Sequence, residues 1–308
     1  MSDKFRGVCC AASTPVREDL SVDLDKLAGH CKRLLEDGCH GIALLGSTGE
    51  ANSFSMAERM SILDGVVRAG VPAERLLPGT GVCALPDTIA LTKHALSLGV
   101  TRVVMLPPFY YKTLSDQALI DSYSHVFDHV ADSRLKVILY HIPPISQIAI
   151  TDGVIEGLLK KYATTVAGVK DSSGDFEHMK GLAQHFPQLS ILAGADPMMK
   201  PLLEVGGAGC ITATSNIAAR YLRTVFDGFA KPDAKDAVEK AQACILAQRT
   251  ISNHFTQIPT IKAMVGYRYG DASWGRVRHP FIALTEAQRL ELGALLGDPA
   301  AGFVKARK

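Results

Sequence analysis

The 308-residue sequence has no long run of Lys and Arg, no apolar stretch of membrane-spanning length and no paired cysteine motif. Each absence removes a class of function. The 33 basic and 31 acidic residues are spread along the chain and leave a net charge of +2, so there is no electrostatic footprint for nucleic acid. Residues 304–308 form a small basic tail that reads as solvated. No segment approaches the ~18 consecutive apolar residues of a membrane span, so no membrane partner is expected. Residues 1–6 lack the apolar core of a signal peptide, and a cytoplasmic location is expected. The seven cysteines are odd in number, form no C-x-x-C pair and sit mostly in apolar runs, where cysteine behaves as a small hydrophobe. A Walker loop and a G-x-G-x-x-G turn are missing. His125 and His129, four apart on a predicted helix, lack the glutamate of H-E-x-x-H, so no metal is expected there.

What is present is apolar material, 47% of the residues, arranged in a repeating pattern. Residues 6–14, 40–46, 75–80, 101–106, 135–140, 165–170, 189–193 and 209–213 read as strands. Helical segments follow them at 23–37, from 55, and at 87–98, 115–131, 152–162, 176–186, 197–205 and 219–230. Most of the strands are nearly continuous apolar runs, as parallel strands buried on both faces are. Ser55 with Glu58, and Thr285 with Gln288, have the spacing of capping boxes. Eight βα units predict an α/β fold of the (β/α)8 TIM barrel type rather than a doubly wound open sheet. The barrel is assigned to residues 1–232. Residues 233–308 are assigned to a C-terminal helical extension packed on it, with no linker between.

A barrel places its chemistry at the C-terminal ends of its strands. Polar residues just past the strands are Thr14, Ser47, Thr48, Tyr110, Tyr140, His141, Lys170, Asp171, Ser172, Asp196 and residues 214–216. Among them only Lys170 ends a wholly apolar strand. Desolvation there favours a neutral amine, which can attack a ketone and form an iminium, an electron sink for C–C chemistry. A lysine whose stem lies in the barrel and whose head reaches solvent fits the same position. Tyr140 ends the neighbouring strand, where a phenol can relay protons or serve as a core aromatic. The loop Gly46-Ser47-Thr48-Gly49-Glu50 offers backbone N–H groups and two hydroxyls, a seat for a carboxylate or a plain glycine-rich turn. His141 either touches substrate or satisfies a backbone group. Cys10 and Cys210 are placed where they can face the barrel mouth, with nothing nearby marking either as a nucleophile.

Three motifs, Gly46-Ser-Thr-Gly-Glu50, Tyr140-His-Ile-Pro143 and Gly168-Val-Lys-Asp-Ser172, occur in an order and spacing that resembles the dihydrodipicolinate synthase/N-acetylneuraminate lyase family over nearly the whole chain. The resemblance implies that Lys170 forms a Schiff base with a 2-oxo acid such as pyruvate, with no cofactor. It implies that Tyr140 relays protons and that Ser47 and Thr48 bind the 2-oxo acid carboxylate. It also implies that Tyr110 is offered to a neighbouring subunit's site, with Thr48 completing a relay, in a homodimer or homotetramer. Ser172, Asp196 and Ala213 fall at substrate-facing positions of the pattern.

Departures from the pattern bear on the substrate. Ile145 stands where lysine-pathway synthases carry an arginine, and a buried isoleucine there leaves a second carboxylate unpaired. Pro197 follows Asp196 where sialic acid lyases have glutamate, and Ala213 replaces their serine. The run Lys170-Asp-Ser-Ser-Gly-Asp175 looks more like members acting on 2-keto-3-deoxy sugar acids. The expected function is therefore a Schiff-base aldolase or dehydratase acting on hydroxylated 2-oxo acids. Dihydrodipicolinate synthase is the alternative within the family, and a non-catalytic 2-oxo acid binding barrel the alternative outside it.

Overall fold

The computed structural model describes residues 4–306, so residues 1–3 of the N-terminal segment and residues 307–308 of the basic tail lie outside the described residues. Seven strands, β1 (Gly7–Ala11), β2 (Gly41–Ala43), β3 (Arg102–Met105), β4 (Lys136–His141), β5 (Val166–Asp171), β6 (Ser190–Ala193) and β7 (Gly209–Thr212), run parallel in the order β2-β1-β7-β6-β5-β4-β3. Residues 76–79 span the gap that remains between β2 and β3. Leu77 N donates to Ile42 O at 2.9 Å and Gly79 N to Leu44 O at 2.8 Å. On the other side Val104 N donates to Pro78 O at 3.0 Å. The segment expected as a full strand at 75–80 is reduced to isolated bridges, Ile42 to Leu76 and Gly79 to Val104. Pro78 is the cause, because it has no N–H to donate toward β3. With this segment the ring is a (β/α)8 barrel.

Helices α1 (Leu24–Glu36), α2 (Met56–Arg68), α3 (Leu85–Ser97), α4 (Asp116–Val130), α5 (Pro143–Ser146), α6 (Asp152–Tyr162), α7 (Phe176–His185), α8 (Met199–Glu204) and α9 (Ser215–Gly228) connect the strands. Both expected capping boxes form, at Ser55 with Glu58 and at Thr285 with Gln288. The short α5 was not legible in advance. Two prolines open it, at positions where their missing N–H groups cost nothing. Helix α9 begins four residues before the expected 219, since Asn216 turns back to bond Ala213 O at 2.7 Å. The C-terminal helices are α10 (Lys235–Ser252), α11 (Gln257–Tyr269) and α12 (Glu286–Gly297). Among the described residues no helix is long and apolar enough to cross a membrane.

Alternation along each strand sorts the side chains into two cores. Val8, Cys10, Val103, Val137, Leu139 and Ile191 pack outward against the helices. Cys9, Ala11, Val104, Ile138, Tyr140 and Leu192 fill the barrel interior. Strand β5 breaks the alternation once. Val137 pairs with Val166 but the next residue, Ile138, pairs with Gly168, so Ala167 is an extra residue in the ladder. Val166 and Val169 both belong to the outer core, three positions apart. This bulge turns Lys170 inward; an unbroken alternation from Val166 would have pointed it at the helices. Gly168 permits the close approach, because a Cβ there would meet Ser190 O at 2.2 Å.

Two buried polar assemblies tie the C-terminal helices to the barrel. In one, Asn216 accepts from Ser13 N at 3.0 Å and bonds His30 Nε2 at 2.8 Å, while His30 Nδ1 meets the Tyr269 hydroxyl at 2.7 Å. Asn216 Oδ1 can only accept, so the neutral ring donates from Nε2 and accepts at Nδ1. Nearby, Asp37 takes Arg220 at 2.7 Å and a short contact from Arg268. In the other assembly, Lys262 Nζ donates to Glu50 Oε2 at 2.6 Å and Arg278 N to Glu50 Oε1 at 2.7 Å, with both side chains wholly inaccessible.

Burial holds the His30 imidazole down at about 4, against opposing help from Asn216. A base with a depressed folded value binds its proton more readily when unfolded. His30 therefore contributes stability that is intact above pH 6.5 and is lost as pH falls toward 4, on the order of 3 kcal/mol in all. Urea midpoints measured between pH 7.5 and 5 are expected to fall for the wild type and to stay flatter for His30→Gln. Equal slopes would remove His30 as the source. Lys262→Met strands the Glu50 carboxylate and is expected to lower unfolding free energy by about 3–5 kcal/mol. Adding Glu50→Gln to that variant should recover part of the loss in the same denaturation experiment.

Candidate active site

Lys170 and Tyr140 occupy paired positions on adjacent strands β5 and β4. Both are buried, and Lys170 Nζ lies 4.0 Å from the centroid of the Tyr140 ring. An ammonium over an aromatic face is held there electrostatically. Burial pushes the Tyr140 phenol up, but the Lys170 charge and the side chains of Lys170, Ser172 and Ser47 outweigh it, and the phenol ends below its usual value. The result is an amine beside a phenol that gives up its proton more easily than a free tyrosine.

The loop after β2 closes against these two groups. Glu50 N donates to Ser47 O at 3.1 Å and Ala51 N to Gly46 O at 3.2 Å, which folds residues 46–51 into a turn. Glu50 adopts a left-handed backbone with φ of 58° and is fixed there by Lys262. Gly49 has little room, since a Cβ would meet Ala12 O at 3.0 Å, and its carbonyl accepts from the Thr14 hydroxyl at 2.9 Å. Ser47 and Thr48 are thereby presented at the barrel mouth, on the strand four places round the ring from Lys170.

Two cavities meet at Lys170, Tyr140 and Ser47. An inner chamber of about 30 Å³ also touches Arg59, whose Nη2 donates to Gly79 O at 2.8 Å. It has room for a water. The outer cavity, of about 280 Å³, is lined by Ser47, Thr48, Tyr140, Lys170, Ser172 and Ala213 among others. The structure thus brings together six of the eight residues singled out from the sequence. Asp196 does not line the cavity. It is fully buried behind the wall, with Arg249 Nη1 3.5 Å from its carboxylate. Burial pushes its carboxyl up, while Arg249 and the hydroxyls of Thr212 and Thr214 pull the other way. Tyr110 also lies outside the cavity, 72% exposed and edge-on to Tyr111.

Other expectations are corrected here. Ile145 is not buried: it is 69% exposed at the cavity rim on α5, so its effect on a second carboxylate is the want of a guanidinium rather than a dry wall. Cys10 and Cys210 point outward into the helix-facing core, and burial pushes both thiols well up. His141 satisfies the backbone, its Nδ1 accepting from Ile150 N at 3.0 Å. Its ring stacks on His178, which bonds Asp171 at 2.6 Å. These three residues bring ligand-type atoms within 4.8 Å of one another. The accepting Nδ1 leaves the neutral His141 ring protonated at Nε2, and Asp171 is already occupied by Ser173 and His178, so the trio reads as a hydrogen-bonded cluster. Arg249, Gln257 and Ile258 reach the outer cavity from the C-terminal helices and belong to none of the motifs. No local sequence signal marks them, because their approach depends on how those helices pack.

Comparison with known proteins agrees with this geometry. The model of the Dihydrodipicolinate synthetase family matches residues 4–298. An uncharacterized DapA-like lyase of Chloroflexus aurantiacus is 37% identical over 291 residues, 94% of this chain and 95% of its own. The crystal structure of dihydrodipicolinate synthase from Agrobacterium tumefaciens has a TM-score of 0.84 at 27% identity, covering 94% of this chain and 98% of its own. That of YagE, a prophage protein of the dihydrodipicolinic acid synthase family from E. coli K12 in complex with pyruvate, has a TM-score of 0.86 at 25% identity, covering 95% and 97%. With a family match spanning nearly all of its length, on a barrel whose mouth gathers a lysine, a tyrosine and a serine–threonine loop, this chain belongs to the dihydrodipicolinate synthetase family and is a class I aldolase-type lyase.

Proposed function

We propose that the protein is a Schiff-base lyase that cleaves or dehydrates a hydroxylated 2-oxo acid of the 2-keto-3-deoxy sugar acid kind, with Lys170 as the nucleophile. The single observation carrying this reading is the buried Lys170 amine against the Tyr140 phenol in a cavity that also holds Ser47 and Thr48. Ser47, Thr48 and the backbone N–H groups of their turn hold the substrate carboxylate. The Lys170 amine attacks the C2 ketone, and Tyr140 donates the proton with which the carbinolamine hydroxyl leaves as water. The resulting iminium draws the electrons of the C3–C4 bond as it breaks. Tyr140, now a phenolate, takes the C4 hydroxyl proton, and an aldehyde departs. Protonation of the enamine at C3 and hydrolysis of the iminium release pyruvate and restore the lysine. If Tyr140 as the phenolate takes a proton from C3 instead, the iminium becomes an enamine that expels the C4 hydroxyl, which leaves as water with that proton, and the outcome is dehydration. Thr48 and, in an assembled dimer or tetramer, the exposed Tyr110 of another copy extend the proton relay.

Synthesis of 4-hydroxy-tetrahydrodipicolinate from pyruvate and aspartate semialdehyde is the second reading, favoured by relatives of that name such as the Bacillus subtilis synthase, 26% identical. The exposed Ile145 weighs against it at the position of the expected arginine.

Incubation with pyruvate and borohydride, followed by peptide mass spectrometry, tests the proposal. A reduced adduct is expected on Lys170 and none in Lys170→Ala. Tyr140→Phe is expected to keep its fold and lose ~10²-fold in kcat. A folded wild type that yields no adduct with pyruvate or longer 2-oxo acids would overturn the Schiff-base reading.

A further inference from the structure

Two cationic side chains line the outer cavity, Lys170 and Arg249, and none of its lining residues is acidic. Lys170 is consumed by imine formation and the Ser47–Thr48 turn serves the first carboxylate, which leaves Arg249 without a task in the chemistry described. Arg249 projects from α10. Its side chain is 23% exposed, and its one ion-pair contact is Nη1 to the fully buried Asp196 at 3.5 Å. Thr212 and Thr214 lie beside Asp196, but neither of its oxygens makes a well-formed hydrogen bond with them. Among the described residues the remaining guanidinium N–H groups meet no acceptor.

This is an arginine held from behind, with the rest of its donor fork open to the cavity. A planar fork of that kind matches the paired oxygens of a carboxylate or phosphate. Beside it the wall combines the neutral hydrogen-bonding side chains of Ser172, Ser173 and Gln257 with the apolar Ile142, Ile145, Ile211 and Ile258, so that Arg249 is its one full charge apart from Lys170. A lone cation beside apolar surface is recognised best by an anion, since each supplies what the other loses on leaving water.

We propose that Arg249, aimed by Asp196, is the specificity residue that binds a second anionic group, carboxylate or phosphate, at the far end of the substrate. The inference rests on the reading of this cavity as the 2-oxo acid site, and narrows the substrate class to hydroxylated 2-oxo acids bearing two acidic ends. The Ile145 position then loses its diagnostic force, because the far anion is read from the C-terminal helices instead of from α5. Asp196 is a positioning residue in this scheme and touches no substrate.

The test compares three six-carbon 2-keto-3-deoxy acids that differ at C6, as alcohol, carboxylate or phosphate ester. Binding is measured by calorimetry on Lys170→Ala, where no ligand is turned over and no imine is needed. One or both acidic-ended compounds are expected to bind at least tenfold more tightly than the alcohol, and which one does so distinguishes carboxylate from phosphate. Adding Arg249→Ala should bring all three within about twofold, and adding Arg249→Lys should retain part of the preference. Circular dichroism checks that each variant is folded, and Arg249→Gln substitutes for any that is not. Equal affinity for the three compounds, or a preference that survives loss of the arginine, overturns the proposal. Absence of a borohydride adduct in the wild type would instead strike the Schiff-base reading and leave this end-group preference standing.

Discussion

The buried ion pair between Lys262 and Glu50 is the constraint on which the mouth of the barrel depends. Glu50 sits at the end of the turn that presents Ser47 and Thr48, in a left-handed backbone conformation that non-glycine residues adopt only at a cost. Both of its oxygens are used, one by Lys262 and one by the backbone of Arg278. That full use offsets the loss of hydration, and leaves no alternative seat for either charge. Lys262 lies on α11, whose first residues line the cavity alongside Arg249 of α10. The same pair therefore fixes the carboxylate loop of the barrel and the wall contributed by the C-terminal helices. Those helices form part of the walls of the site as well as packing on the barrel.

Around that frame the interior chemistry is arranged by strand alternation. Residues facing the barrel axis such as Cys9, Ala11, Ile138 and Leu192 are small or apolar, and Tyr140 and Lys170 bring reactive groups in among them. The chamber that flanks the amine on the side of β2 and β3 is only about 30 Å³ and holds little water. Electrostatic effects are strengthened in such a place, so the ammonium acts strongly on the phenol beside it. The charge of Lys170 and the hydroxyls of Ser47 and Ser172 together set the phenol.

Much of this was legible in the chain. The apolar runs and the capping residues located all but one of the barrel strands and most of the helices, because buried parallel strands and capped helices leave direct local signatures. Polar residues at strand ends could be assigned to the rim by the barrel rule alone, and five of them, Lys170, Tyr140, Ser47, Thr48 and Ser172, line one cavity with Ala213, which only the family resemblance had marked. What stayed hidden depended on packing between distant segments. Arg249 lies 79 residues beyond Lys170 on a helix with no distinguishing pattern. Asp196 was a polar residue at a strand end like the others, yet the turn after β6 folds it behind the wall. Pro78 was visible and should have demoted its strand. Gly168, isolated within a strand pattern, was the one available sign of the bulge beside it.

The extra residue at Ala167 sets which kinds of mutation this enzyme can survive. Replacing Ala167 alters one partly exposed side chain between two strands. Removing it leaves three positions from Val166 to Lys170, and plain alternation over that odd count keeps the lysine inward while the bulge is lost. Inserting a residue that the single bulge does not absorb turns the lysine outward instead, among helix-facing aliphatics. For this short stretch the constrained quantity is therefore the number of residues that pair in the ladder rather than their identity. Strand β5 can thus shed Ala167 and its bulge together, but neither one alone, and still aim the lysine at the barrel axis.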